Sequence, residues 1–149
     1  MSEYKKLLPL DGDLSWSPPP DWRTPLGTKE FWEWCKKHEL RIQRCKDCGT
    51  YRHPPRPMCA NCNSMDTEWA KVSGKAKVWS WSTVYRSYGP GFEDEAPYSV
   101  VYVELDEGVR MTTNVIDVKP EEFYYGMPVE VIFEDVTEAI ALFKFKRAS

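Results

Sequence analysis

"CKDCGTYRHPPRPMCANC", residues 45–62, begins and ends in a Cys-x-x-Cys pair and holds four of the chain's five cysteines. Zinc takes four ligands in a tetrahedron, and thiolate is its favoured structural ligand. Two such knuckles supply two sulfurs each from separate turns. Gly49, directly after Cys48, lets the first knuckle close because glycine tolerates positive φ. Backbone N–H groups in that turn can then point at the sulfurs. Pro54, Pro55 and Pro57 stiffen the ten-residue spacer and lower its entropy before folding. The spacing is short for a DNA-reading finger and right for a zinc ribbon. A pair of redox motifs is the competing reading, but it needs a Cys-x-x-Cys at a helix N-terminus after a strand. Neither pair has that context. Cys45, Cys48, Cys59 and Cys62 are therefore the expected ligands of one structural Zn2+ per chain. Four protein thiolates leave no position for water or substrate, which a catalytic zinc keeps open. Such a site contributes roughly 10–16 kcal/mol, enough to hold together a ribbon with little core. His38 and His53 read as surface or packing residues.

Upstream, residues 28–40, TKEFWEWCKKHEL, read as a short helix with Thr28 as N-cap and Glu30 in the first turn. Phe31, Trp34, Cys35 and His38 share one face at helical spacing, and Cys35 reads as a small buried hydrophobe. Trp32 points elsewhere. Residues 1–27 form an extended Pro-rich arm, in which "SWSPPPDWRTPLG" combines four prolines with Trp16 and Trp22.

Downstream, the ribbon occupies residues 41–70 and the pattern then changes to period two. In "KAKVWSWSTVYR" Trp79, Trp81 and Tyr85 fall on one face, with Val78 and Val84 on the other. "YSVVYVELD" (98–106) and "VRMTTNVI" (109–116) form a hairpin across Glu107-Gly108. "KPEEFYYG" (119–126) is a single helical turn ended by Gly126. "PVEVIFEDV" (128–136) and "AIALFKFKR" (139–147) complete five strands. A helical turn between the third and fourth strands favours an OB-fold barrel over an SH3-like one. The expected class is mainly β: an N-terminal helix, a rubredoxin-like zinc ribbon and a five-stranded OB-fold over residues 71–149.

No apolar run approaches the ~20 residues that span a bilayer, and "MSEYKKLLPLDGD" has no signal-peptide core. The expectation is a soluble cytoplasmic protein, where paired cysteines are metal ligands more often than disulfides. Seven Trp in 149 residues fit either a rich core or anchors buried in a partner. Charge is split along the chain. Residues 36–56 balance to +5, whereas residues 87–143 balance to −11.

No nucleophile–base pair stands out, there are two His, and both precede residue 54. The run Glu93-Asp94-Glu95 reads as a solvated loop. The chain thus reads as a binding module with no catalytic residues of its own. One possibility is single-stranded nucleic acid, stacked on Trp79, Trp81 and Tyr85. The acidic balance of residues 87–143 opposes it, since phosphate neutralisation supplies most of such affinity. The other is a protein partner with a small ligand at the junction.

Three stretches together decide the matter: "FWEWCKKHELRIQRCKDCGTYRHPPRPMCANCNS" (31–64), "WAKVSGKAKVWSWSTVYR" (69–86) and "FYYGMPVEVIFED" (123–135). They resemble the acyl-CoA-associated family that joins a helix, a rubredoxin-like zinc ribbon and an OB-fold, long catalogued as a domain of unknown function. Within it the chain looks most like the stand-alone small subunits of benzoylsuccinyl-CoA thiolases from anaerobic toluene breakdown. The resemblance implies an accessory subunit of a thiolase-superfamily enzyme that makes or breaks a C–C bond in an acyl-CoA. Members partner a thiolase, a lipid-transfer-type aldolase of steroid side chains, or a thiolase and its downstream synthase. Catalytic Cys and His sit on the partner, and the small subunit completes or shields the acyl-CoA site. By the same resemblance the four cysteines carry over as zinc ligands. The loop 86–98, with Tyr88 and Phe92, carries over as the acyl-CoA or partner contact. That loop is acidic and coenzyme A is an anion, so Arg52 and Arg56 suit its phosphates better, unless they are solvated or meet an acidic partner patch. Trp16, Trp22 and Trp32 are the expected partner interface.

Overall fold

A computed structural model gives the fold; it describes residues 28–86, 96–136, 138 and 140–149. The expected Pro-rich arm with Trp16 and Trp22, and Tyr88 and Phe92 of the 86–98 loop, lie outside the described residues.

Thr28–Lys36 form helix α1, with Phe31 and Cys35 buried on its inner face. The helix is shorter than the 28–40 expected. His38 takes φ 56°, and its N–H donates to Cys35 O at 2.9 Å while Glu39 N–H donates to Trp34 O at 3.1 Å. This pair of bonds is a Schellman closure, and a left-handed residue cannot continue the helix. His38 consequently leaves the apolar face. It is exposed, stacked on Phe133 at 5.4 Å and bonded to Asp135 at 2.8 Å.

Three antiparallel strands build the ribbon. β1 (Arg41–Cys45) lies between β2 (Tyr51–Arg52) and β3 (Thr67–Lys71). The second sheet holds β4 (Lys75–Val84), β5 (Tyr98–Leu105), β6 (Arg110–Thr113), β7 (Val115–Ile116), β8 (Pro128–Asp135) and β9 (Ala141–Arg147). Its order is β6-β5-β4-β8-β9-β7. The expected third strand, 109–116, is thus divided at Asn114 into the two edges of the sheet. β6 pairs with β5, and β7 pairs in parallel with β9. Because the two edges are consecutive in the chain, the sheet curls round on itself as a partly open OB barrel. Asn114 holds the division: its Nδ2 donates to Ser99 O at 2.8 Å, and its own carbonyl accepts Phe145 N–H at 2.9 Å.

Two expectations for the barrel need correction. Trp79 and Trp81 do not share a face. The β4–β5 register runs Val78↔Val103 and then Ser80↔Tyr102, so an extra residue, Trp79, bulges out. A bulge inverts the alternation beyond it. Trp81 therefore pairs with buried Val101 and stacks over Phe123 at 5.8 Å, while Trp79 lies outside beneath Arg110. Val78 bonds to both Gly126 and Met127 at this point, which anchors the bulge. The helical turn is also shorter than 119–126. It is a 3-10 turn over Pro120–Glu122, tied by the Glu122 carboxylate accepting Lys119 N–H at 2.8 Å.

A continuous apolar core runs from Phe31, Cys35, Leu40 and Ile42 through Val72 into the barrel interior around Val103, Met111 and Phe145. Helix, ribbon and barrel therefore share one packed interior. No helix among the described residues is long and apolar enough to cross a membrane.

Candidate metal centre and the cleft beside it

The two cysteine knuckles are built alike. In the first, Cys45 ends β1, Gly49 N–H donates to Cys45 O at 3.0 Å, and Cys45 N–H donates to Thr50 O at 2.9 Å. In the second, Asn63 N–H donates to Cys59 O and Cys59 N–H to Ser64 O, both at 2.9 Å. Each turn closes on a left-handed residue after its second cysteine, Gly49 at φ 74° and Asn63 at φ 60°. The role of Gly49 is legible from its residue type. That of Asn63 was missed, although Asn visits this region more readily than other side chains.

This folding brings Cys45, Cys48, Cys59 and Cys62 together, with all four sulfurs within 4.8 Å of one another. Cys45 and Cys62 sulfurs are 3.5 Å apart, as are those of Cys48 and Cys59. Zn–S bonds of ~2.3 Å put the edge of a regular tetrahedron at ~3.8 Å. The cluster brackets that figure, so the residues fit a zinc ion. The electrostatics agree. The Thr50 hydroxyl, then its amide, then Asn61, pull the Cys48 thiol down to about 5. N–H groups of Cys62 and Asn61 lower Cys59. At Cys62 the Ser64 N–H favours the thiolate, but the adjacent Cys48 sulfur and the rest of the cluster outweigh it and push the thiol up to about 12. Four thiols this close cannot all ionise unless a cation sits among them, and a bound divalent metal deprotonates such ligands outright.

The fifth cysteine and the two histidines stand apart from the cluster. Burial pushes the Cys35 thiol up to about 12, which leaves it inert inside the core. Burial pushes His53 down to about 4, and its ring packs 5.2 Å from Phe31.

A cleft of about 320 Å3 opens between ribbon and barrel, beside Cys59 of the cysteine cluster. Arg52 and Arg56, which the sequence singles out as candidate ligand or partner contacts, line it from the ribbon. Tyr102 and Arg110 close it from the barrel. Arg52 Nε donates to Gln43 Oε1 at 2.6 Å, and the same oxygen accepts the Arg56 N–H at 2.8 Å. Arg52 Nη1 and Nη2 are shut away from solvent with no hydrogen-bond partner. Arg110 lies 3.6 Å over the Trp79 ring and pairs with Glu104 at 2.7 Å. Sequence reasoning missed Tyr102 and Arg110. Strand alternation places them on one barrel face, but nothing in one sequence says that the ribbon covers that face. Trp32 is half-buried, its ring 5.3 Å from Phe31 and 5.9 Å from Phe143.

Comparison with known proteins gives a consistent picture. Residues 32–68 match the model of the ChsH2 rubredoxin-like zinc ribbon domain, and residues 69–134 that of the ChsH2 C-terminal OB-fold domain. A DUF35 domain-containing scaffold protein of Methanocaldococcus jannaschii is 43% identical over 96 residues, covering 64% of this chain and 67% of that protein. A probable enoyl-CoA hydratase alpha subunit of Thermomonospora curvata is 38% identical over 119 residues, covering 79% of this chain and 37% of the relative. The chain thus spans little more than a third of that longer protein. The benzoylsuccinyl-CoA thiolase subunit BbsA of Geobacter metallireducens is 37% identical over 73 residues, 48% of this chain and 47% of that one. Among solved structures, a chain of the Ltp2-ChsH2(DUF35) aldolase superposes with a TM-score of 0.77 at 34% identity, covering 85% of this chain and 98% of that one.

Proposed function

This chain belongs to the DUF35 family of ChsH2-type zinc-ribbon and OB-fold proteins, and on that premise we propose that it is a non-catalytic accessory subunit of a heteromeric acyl-CoA enzyme. The catalytic partner is a thiolase-superfamily subunit. It makes or breaks a C–C bond beside the thioester carbonyl, and this chain completes or shields the acyl-CoA site. The observation that carries the reading is the metal centre. Its four protein thiolates leave no coordination position for chemistry, in a chain whose solved relative is one component of an aldolase.

Two partners have specific support. The match to BbsA favours a benzoylsuccinyl-CoA thiolase, although it spans about half of each chain. The match to the aldolase spans nearly the whole of that relative and favours a lipid-transfer-type aldolase. Single-stranded nucleic acid has less in its favour, because residues 87–143 balance to −11. Trp16, Trp22 and half-buried Trp32 are the proposed partner contacts, with Tyr88 and Phe92 at the junction.

Purification of the native chain with whatever it binds tests the reading. A thiolase-type protein is expected to co-purify, and acyl-CoA turnover is expected from the complex and not from the chain alone. Removal of residues 1–27 is expected to weaken the complex without releasing zinc. Turnover of a thioester by the isolated chain would overturn the proposal.

A further inference from the structure

We propose that the cysteine cluster is also an oxidative modification site: a peroxide converts its four thiolates into two disulfides that cross between the knuckles, Cys48–Cys59 and Cys45–Cys62, and so exchanges the metal clamp for a covalent one. The inference rests on the zinc-ligand assignment and not on the identity of the catalytic partner.

The four sulfurs are not equivalent. Cys45 and Cys59, the first cysteine of each knuckle, are buried at 0% exposure, whereas Cys48 and Cys62, the second of each, are exposed. A small oxidant therefore finds one accessible thiolate on each knuckle. Behind each accessible sulfur lies a protected one, and it belongs to the other knuckle. Cys48 and Cys59 sulfurs are 3.5 Å apart, as are those of Cys62 and Cys45. An S–S bond is ~2.05 Å long, so each sulfur has to move by only roughly 0.7 Å. Thiolates are the species that peroxides oxidise, and a second thiolate within reach captures the first product as a disulfide before it is oxidised further.

The step balances with peroxide alone as oxidant. The exposed thiolate attacks one peroxide oxygen, the O–O bond breaks, hydroxide leaves and a sulfenic acid forms. The cross-knuckle thiolate then attacks that sulfur, the S–O bond breaks, a second hydroxide leaves and the S–S bond forms. Two thiolates give up two electrons, and one peroxide becomes two hydroxides that take protons from solvent. Each disulfide withdraws two ligands from the metal, so zinc is released.

The crossing pattern has a structural consequence. Each turn is already closed by its own backbone, through Gly49 N–H to Cys45 O and Asn63 N–H to Cys59 O. What four thiolates on one metal add is the connection between the turns. A link inside one knuckle, Cys45–Cys48 or Cys59–Cys62, would lose that connection and let the knuckles separate. The crossing links keep it, joining positions 11 and 17 residues apart. The ribbon thus stays closed beside the cleft after the metal has gone, and thiol reductants return the four ligands by exchange. Cys35, buried in the core at 0% exposure, is out of reach and serves as an internal control.

Lys46 makes the linkage readable, since trypsin cuts after Arg44, Lys46 and Arg52 and puts Cys45, Cys48 and the Cys59/Cys62 pair on three separate peptides. The full-length, zinc-loaded chain is treated with hydrogen peroxide, and zinc release, peptide masses and amide exchange over residues 41–71 are followed together. Complete zinc release is expected, with residues 45–46 and 47–52 each linked to the peptide that begins at residue 53. Fragmentation of the linked peptides is expected to place Cys48 on Cys59 and Cys45 on Cys62. Cys35 should stay reduced, the ribbon amides should stay protected, and dithiothreitol with added zinc should restore the original metal content. A link between 45–46 and 47–52 would overturn the inference, as would sulfinic acids in place of disulfides or loss of ribbon protection together with the metal. Full zinc retention with free thiols in excess peroxide would overturn it too. In each of these cases the zinc-ligand assignment and the functional reading stand, because the metal content before oxidation is read in the same experiment.

Discussion

The ring of Phe31 meets that of Phe143 edge to face, with centroids 5.4 Å apart and planes at 85°. One belongs to α1 and the other to β9 of the barrel. The same Phe31 ring lies 5.2 Å from His53 and 6.5 Å from Trp69, both in the ribbon. A single side chain of the helix is therefore in contact with both sheets. Ribbon and barrel are set against each other by packing as well as by the short connection from β3 to β4.

Phe31→Ala is accordingly expected to destabilise the chain by about 3–5 kcal/mol, the range for truncating a buried aromatic. Denaturant unfolding reads this directly. Zinc content should not change, because the knuckles do not use Phe31. A loss below ~1 kcal/mol would mean that the junction is not packed as described. Phe31→Leu should cost less, since it leaves a smaller void.

Cys59→Ser is expected to abolish stoichiometric zinc binding and to unfold the ribbon. Hydroxyl oxygen is a poor replacement for thiolate at a four-sulfur site. Metal analysis and amide exchange over residues 41–71 check this together. A variant that keeps one zinc per chain would reject the assignment of this cysteine. Asn63→Gly should be tolerated with full zinc, because the position requires only a left-handed backbone.

The elements whose cause is local are legible in the sequence. Four cysteines at knuckle spacing, the period-two strands and the turn at Glu107-Gly108 each follow from residue type and spacing. What escaped was set by contacts across the chain. The bulge at Trp79 exists because Val78 is bonded to Gly126 and Met127, nearly fifty residues away, and no alternation in β4 reveals it. Asn114 divides a strand that reads as continuous, because its side chain answers to Ser99 and its carbonyl to Phe145. Half of the cleft was likewise hidden. Arg52 and Arg56 stand in a basic stretch and attract notice, whereas Arg110 is one cation in an acidic barrel and gains meaning only when the ribbon lies over it.

Gly74 offers a sharp test of the seam between β4 and β8. It has φ 74°, its carbonyl accepts Val131 N–H at 2.8 Å, and a Cβ there would sit 2.5 Å from Val131 Cγ1. Gly108 and Gly126 share the left-handed backbone, but a Cβ at either meets nothing within 4 Å. All three Gly→Ala variants should pay about 1 kcal/mol for the backbone. Gly74→Ala should lose a further ~1–3 kcal/mol through overpacking. Thermal unfolding of the three variants side by side measures the difference, and equal losses would show that β8 yields freely at Val131.

The last expectation concerns pH. Burial holds the folded His53 at about 4, whereas an unfolded histidine titrates near ~6.5. Below ~6.5 the unfolded chain takes up a proton that the folded chain refuses, so stability is complete above that pH and falls as pH drops toward about 4. The whole effect is about 3 kcal/mol, of which about 2 kcal/mol is lost between pH 7 and pH 5. Acid also releases zinc from thiolates, so the comparison must isolate the histidine. His53→Phe keeps a ring against Phe31 and removes the titration. With zinc in excess, urea unfolding at the two pH values should show a drop in the native chain that exceeds the variant's by about 2 kcal/mol. An identical drop in both would mean that His53 takes up its proton in the folded state as readily as in the unfolded one, and that its packing against Phe31 does not exclude water.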